Sequence, residues 1–531
     1  MDTATPSVTP TAPSYDELAA DNAALRARTD EQDQQLRELQ RQLDWFKRQL
    51  FGPTSERRLS EGDSATADLF AREEAPVPER RAKERISYER DKPGTQPKDR
   101  DDAVTGEGLR FDDRVPVETI DVPAPALRGD DADAWQVIDY KTTHRLAQRP
   151  GSWVVLAYRR PVLRHRDEHS LTEAPAPGNV LEGSAADVSV LAGLVVDKFC
   201  YHCPLYRQHQ RLSDAGIRLS RTTLTNWTQR SAELLAPIAE AQQAHILQSA
   251  VVAMDETPIK AGRQAGKARM KQGWYWPIYG DADEISFTFS ASRATRQVRE
   301  QLRGFTGTLI SDGYSAYARF ARTNADITHA QCWSHARRQL LTAEDDEPEA
   351  VAHALEFIRV LYQHEAAIRD RRLAPDKALA YRAEHSKPVV DTFFGWVYEQ
   401  RQDPGRLPSA PLTKALAYVH QREGALRVFL SDPAVPIDTN HLERALRVIP
   451  MGRRNWLFCW TEVGAEHVGT LQSLLTTCRL HGINPYTYLV DVLQRIGEHP
   501  ASDVIALTPR AWKQRFAHAP LTSDLERHGR A

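Results

Sequence analysis

Cysteine and methionine are scarce in this chain, with five and four copies among 531 residues. The cysteines (Cys200, Cys203, Cys332, Cys459 and Cys478) are odd in number and scattered. That excludes a disulfide-stapled secreted scaffold and fits a reducing cytoplasm. No apolar run approaches the roughly 20 residues that cross a bilayer, so a membrane partner is not expected. The opening MDTATPSVTPTAPS lacks the basic start and apolar stretch of a signal peptide. Excess charge of one sign is missing too, since 69 basic against 72 acidic residues leave −3. The chain is not a polycation, and any nucleic-acid contact must come from local basic patches. What the sequence does have is length. At about 150 residues per domain it predicts three or four domains.

The predicted architecture is a multidomain α+β protein. Residues 15–52 carry a heptad seam (Leu18, Leu25, Leu36, Leu39, Leu43, Leu50) with Asn22 and Gln32 as polar interruptions. This is the pattern of a parallel coiled coil, so the chain is expected to form a homodimer or higher oligomer. Residues 53–110, charge-dense and poor in large apolar residues, read as a flexible linker. Residues 111–184 hold short alternating stretches and predict a small antiparallel β-rich module. Residues 185–246 read as helical and locally basic. A helix over Pro204–Leu212, a stop at Ala215-Gly216 and a second helix capped by Ser220 suggest a helix-turn-helix reader, with Arg207, Arg211, Arg221 and Asn226 toward DNA. An ordinary helical hairpin has the same outline.

The stretch Ser249–Thr257 organises the rest. Val251-Val252-Ala253-Met254 is a short, β-branched run that reads as a buried strand ending at Asp255, a position suited to holding a metal ion. The pattern recurs at Gly307–Gly313, where Leu309 and Ile310 lead to Asp312. Strands at Trp274–Tyr279 and Ile285–Phe289, a helix at Ala294–Leu302, and a last strand at Ile327–Ala330 complete residues 247–343. This order matches a ribonuclease-H-like core, although propensity alone does not single that fold out. Residues 344–432 predict a helical insertion, 433–500 the second part of the core, and 501–531 a C-terminal tail. A third acid, Glu443, lies on a helical pattern with Leu442, Leu446 and Ile449 on its apolar face. Glu443 also suits a capping box with Asn440 or an i,i+4 pair with Arg447. Asp438, Asp281 and Glu256 are rival acids. Strand alternation predicts that Glu256 points away from Asp255.

The motifs AMDETP, LISDGYSAY, QCWSHARRQL and TNHLERALRVIPMGRRNWLF, in that order, resemble the insertion sequence 66 family of bacterial transposases. The resemblance covers roughly residues 185–500, plus the N-terminal helix ending in Gln49-Leu50-Phe51-Gly52. It implies that Asp255, Asp312 and Glu443 are both the catalytic triad and the metal ligands of a ribonuclease-H-like transposase. Two Mg2+ ions are expected, with Mn2+ able to substitute; Asp255 would bridge them while Asp312 and Glu443 each complete one site. Arg444, Arg447, Arg453, Arg454 and Trp456 suit DNA backbone contact and base stacking beside that site, with His335 and Arg338 also near DNA. The expected partners are double-stranded DNA, as element ends and target, and accessory proteins encoded by the same element. The expected location is the cytoplasm, at the nucleoid. One departure stands out: residues 110–180 contain no cysteine, whereas family members carry a cysteine-rich zinc-binding segment there. A catalytically silent DNA-binding regulator descended from such an enzyme, or a general ribonuclease-H-like nuclease, are the competing readings.

Overall fold

The computed structural model describes residues 108–528, apart from 114, 129–131, 150, 168–169 and 265–268. The predicted coiled coil, and all but the end of the predicted linker, lie outside the described residues. Strand β1 (Arg110–Phe111) is short, and β2 (Val117–Asp121) begins a four-stranded sheet. Long β-branched and aromatic stretches form β3 (Trp135–Arg149) and β4 (Ser152–His165), an antiparallel hairpin that reverses near Gly151 at φ +85°. Strand β5 (Leu171–Glu173) adds to β4 antiparallel, but β2 lies parallel to it. The purely antiparallel expectation fails at β2. Strand β4 lies between β2 and β3, antiparallel to β3 and parallel to β2.

Helix α1 (Val188–Phe199) is capped by Asp187, which accepts from the Ser189 amide at 2.9 Å, and is buried along nearly its whole length. Helix α2 (Leu205–Asp214) ends in a turn at Gly216, φ +86°, where a Cβ would collide with Asp112. Strand β6 (Ile217–Arg218) then pairs with β1, tying the β-rich module to the helices. Ser220 caps α3 (Arg221–Ile246), accepting from Thr223 N at 3.0 Å. The predicted helix, glycine turn and capped helix all form.

The largest sheet follows. Strand β7 (Val251–Met254) is buried on both faces, and β8 (Thr257–Arg263) resumes after a break at Asp255-Glu256. Next come β9 (Met270–Gly280), β10 (Ile285–Ser290), α4 (Thr295–Gln301), β11 (Gly307–Ser311), α5 (Ser315–Arg322) and β12 (Ile327–Gln331). The strand order is β10-β9-β7-β11-β12, with β8 also on β9. Strand β9 runs antiparallel to both its neighbours, β7 and β10; β11 and β12 run parallel to β7. Helix α6 (Trp333–Leu341) leads into the helical stretch predicted for 344–432: α7 (Pro348–Asp370), α8 (Pro375–Tyr381), α9 (Lys387–Gln402), α10 (Pro411–His420) and α11 (Glu423–Arg427).

The chain returns through α12 (Asn440–Leu446), α13 (Val448–Trp456), α14 (Glu462–Leu480) and α15 (Pro485–Arg495). Helix α14 seals the outer edge of β10. Phe287 N donates to Ser473 Oγ at 2.8 Å, Ile285 N donates to Thr477 Oγ1 at 3.2 Å, and a Cβ at Gly469 would collide with the Phe287 carbonyl. Residues read as a tail also fold: α16 (Pro509–Arg515) and α17 (Asp524–His528), where Tyr158 Oη donates to Asp524 at 2.6 Å. One continuous apolar core runs from Leu109 to Trp512. No helix among the described residues is long and apolar enough to cross a membrane.

Candidate active site

Pairing of Ile310 with Ala253 sets β11 beside β7 in parallel, so the strands run out together at Asp312 and Asp255. Asp255 N reaches back to the Pro277 carbonyl at 3.4 Å, and Asp255 Oδ1 accepts from Glu256 N at 2.7 Å. Asp312 Oδ1 accepts from Tyr314 N at 2.8 Å, which holds the turn after β11. Burial, then the charge of Asp312, push the Asp255 carboxyl up to about 7, with Glu256 and Glu443 adding smaller pushes. Asp255 therefore senses all three neighbouring acids.

Glu443 reaches this place through several contacts made by α6 and the helical insertion. Trp333 N donates to the Ile437 carbonyl at 3.1 Å, and Thr439 N donates to Cys332 Sγ at 3.3 Å. Tyr362 Oη donates to Asp438 at 2.8 Å, and the His441 ring stands edge-on to Tyr279 of β9 at 4.8 Å. Glu443 then lies in the first turn of α12. No capping box forms there, because the helix starts after Thr439 and no side chain caps it. Its carboxylate is instead bonded by Arg338, with His335 Nε2 at 3.6 Å.

The rival acids have other partners. Asp281 accepts from Ala250 N at 2.9 Å, at the start of β7. Asp438 holds Tyr362 and Asn440. Glu256 lies on the side of the sheet opposite Asp255, as strand alternation predicts: its partner Tyr317 packs with Val252, Met254 and Leu309, whereas Ala253 and Ile310, in phase with Asp255 and Asp312, face the other core. The Glu256 side chain is buried there against Tyr317 Oη at 2.5 Å and the Arg293 guanidinium. Arg293 also lies 4.1 Å over the Tyr314 ring, and Tyr314 Oη donates to its carbonyl at 2.6 Å. Arg293 therefore straps the Asp255 turn to the Asp312 turn. On the other side, Arg422 donates to the Gly313 carbonyl at 3.1 Å while stacked on Tyr418, and a Cβ on Gly313 would collide with Tyr418. Sequence reading missed Arg293, Tyr317, Tyr418 and Arg422, whose side chains reach the site only through the tertiary fold.

Carboxylates are the hard oxygen donors that magnesium prefers, and the crowding felt by Asp255 is what a cation would relieve. Among the described residues, however, no three His, Cys, Asp or Glu side chains stand close enough to hold one ion. The donors fit a divalent metal by their chemistry, with Arg338 on the Glu443 carboxylate as the competing contact.

The basic residues singled out from sequence fall in several places. Arg207, Arg221 and Asn226 are exposed on α2 and α3; Arg211 pairs with Asp197 at 3.3 Å and covers Trp153. Arg444, Arg447 and Arg454 are exposed along α12 and α13. Arg453 donates to the Pro258 carbonyl, fastening α13 to β8. Trp456 is half-buried against the core and close to Gly452, so the exposed indole of this segment is Trp460.

The mixed sheet with its two adjacent strand-end aspartates is given a class by comparison: transposases of insertion sequences. Residues 183–467 match the transposase IS66 family, and residues 473–510 match the IS66 C-terminal element. The chain belongs to the IS66 family, and membership implies transposase activity in general. Among relatives is the uncharacterized protein y4hP of Sinorhizobium fredii (strain NBRC 101917 / NGR234), 30% identical over 399 residues, covering 71% of each chain. Another is the uncharacterized protein y4jD of the same organism, 33% identical over 366 residues, covering 65% of this chain and 70% of the relative.

Proposed function

We propose that this chain is a DNA transposase that binds the terminal inverted repeats of its element and carries out metal-dependent strand cleavage and strand transfer. The observation that carries this reading is the parallel pairing of β7 with β11, which runs Asp255 and Asp312, far apart in sequence, out side by side at one end of the sheet. Support for a ribonuclease-H-like core comes from three antiparallel strands followed by two strands parallel to the first. Asp255, Asp312 and Glu443 would hold Mg2+, or Mn2+ in its place. When bound, the ions supply positive charge for the attacking and leaving oxygens of an in-line displacement at phosphorus.

The chain's own residues do the rest. Asp255 and Asp312 present fixed carboxylates because Arg293 and Arg422 hold their turns. Arg338 holds the Glu443 carboxylate in the place a metal would take, with His335 beside it. Exposed Arg444, Arg447 and Arg454 meet backbone phosphates beside the acids, and α2 and α3 offer a second basic surface for the ends. The test is a strand-transfer assay with purified full-length protein, duplexes carrying the element's own ends, a plasmid target and Mg2+. Joined product that needs both the end sequence and the metal supports the reading. Cleavage indifferent to end sequence would favour a general nuclease, and binding without chemistry a silent regulator.

A further inference from the structure

Between Met451 and Val463 the surface is unusual. Met451 is 51% exposed, Leu457 51%, Trp460 46% and Val463 51%, four large apolar side chains within one short segment. Leu457 also takes φ +63°, a left-handed conformation that an ordinary side chain adopts only under constraint. The constraint is visible. Leu457 N donates to the Arg453 carbonyl at 2.8 Å and Phe458 N to the Trp456 carbonyl at 2.7 Å. Beyond that turn the chain lies alongside β8: Cys459 N donates to the Lys260 carbonyl at 2.9 Å, and Gly262 N to the Cys459 carbonyl at 3.1 Å. Phe458 buttresses the indole edge-on at 4.9 Å, and the Arg263 guanidinium sits 5.3 Å over the Trp460 ring. Trp460 is therefore a fixed aromatic plate, held outward beside a cation.

The surroundings select the occupant. A protein-binding patch of this kind would be depleted of charge at its centre. Here the apolar groups are interleaved with Arg447, Arg454 and Arg263, and the nearest acid, Glu462, is already paired with Lys271 at 2.8 Å. Arg444, Arg447 and Arg454 have no ion-pair partner among the described residues. Stacking aromatics in a basic groove suit an unpaired nucleic-acid strand. The distance from the acids is fixed by the sheet. Arg263 pairs with Met270 and Asp255 stands opposite Pro277, near opposite ends of β9, about 23 Å apart at roughly 3.3 Å per residue. At about 3.4 Å of duplex per nucleotide that is roughly seven nucleotides.

We propose that Trp460 stacks an unpaired base of the DNA strand, with Leu457 as the wedge beside it, roughly seven nucleotides from the bond that Asp255 addresses. This rests on the transposase reading and adds that the duplex is opened locally at a protein-held position.

The test uses full-length wild type, Trp460→Ala and Trp460→Phe in magnesium-free buffer. The probes are an element-end duplex that is fully paired and four versions with a single mismatch placed three, seven, eleven or fifteen nucleotides from the cleaved bond. Wild type is expected to bind the seven-nucleotide mismatch on the order of tenfold more tightly than the paired duplex, since stacking then no longer requires unpairing. Trp460→Ala should lose that preference while keeping its affinity for the paired duplex within about twofold, and Trp460→Phe should retain much of the preference. Equal preference in wild type and Trp460→Ala overturns the proposal, as does a preference that ignores mismatch position. A change in the oligomeric state of Trp460→Ala without DNA, measured by sedimentation, would assign the patch to a second copy of the chain and overturn it too. Failure of wild type to bind any of the duplexes would instead sink the transposase reading itself.

Discussion

The guanidinium of Arg338 is bonded to the carboxylate of Glu443, across 105 positions of sequence. Helix α6 supplies the cation and α12 the acid, and a divalent metal would compete with Arg338 for the same oxygen. Replacing Arg338 with Gln should therefore raise the affinity for Mn2+ a few-fold, the modest size reflecting a half-exposed pair. Isothermal titration of the two proteins checks this; weaker binding in the variant would make Arg338 a support for the ligand set rather than its competitor.

Asp255→Asn, Asp312→Asn and Glu443→Gln should each lower strand transfer by at least about a thousandfold while leaving duplex affinity nearly unchanged. Changing Asp281 or Asp438 to its amide should act on stability instead, because these acids anchor backbone and side-chain donors. Gel-based transfer and binding assays on the same preparations separate the two outcomes. Normal transfer by Glu443→Gln would remove the glutamate from the triad.

The raised Asp255 carboxyl has a pH signature. It titrates at about 7 in the fold, against about 3.9 in an unfolded chain, so the native state binds its proton more tightly. Stability from this group is greatest at low pH and falls as pH rises from about 4 to 7, then levels off. In metal-free buffer Asp255→Asn escapes that loss. It should be more stable than wild type at pH 8, by an amount on the order of a few kcal/mol, with the difference shrinking toward pH 4. Urea midpoints at pH 5 and 8 measure it, and a difference of constant size would contradict the assignment.

Gly469 sits where a Cβ would strike the Phe287 carbonyl. Gly469→Ala should push α14 off the edge of β10 and cost about 1–3 kcal/mol, read as a lower urea midpoint. An unchanged midpoint would mean that the helix shifts at no cost.

Much of the site was legible because Asp255 and Asp312 each end an apolar strand, and such runs announce themselves locally. Glu443 needed its motif, since a glutamate on an amphipathic helix has several ordinary uses. Arg338 was legible as a basic residue near the site but not as the partner of Glu443, because nothing local links positions so far apart. Strand β8 went unread, as Pro258 and Gly262 make Thr257–Arg263 look like a terminator. Both are tolerated: the β8–β9 register shifts between Lys260 and Arg263, and Gly262 takes φ +72°. Alternation carried one residue past the strand put Glu256 on the correct face, that of Tyr317. The first half of α14 carries Gly464, Ala465 and Gly469, the last in close approach to the Phe287 carbonyl, and with such small residues its apolar periodicity is weak there.

The seal on β10 also sets a schedule for the nascent chain. Strand β10 is complete by Ser290, yet the hydroxyls that satisfy its outer edge arrive with Ser473 and Thr477. At about 5–20 residues per second, that edge waits on the order of 10–40 seconds on the ribosome as an open template for another strand. The two family matches meet inside α14, at residues 467 and 473, so the C-terminal element delivers the last piece of the large sheet's own boundary. A message cut short between them would release a sheet with one raw edge, and aggregation rather than partial activity would be its fate.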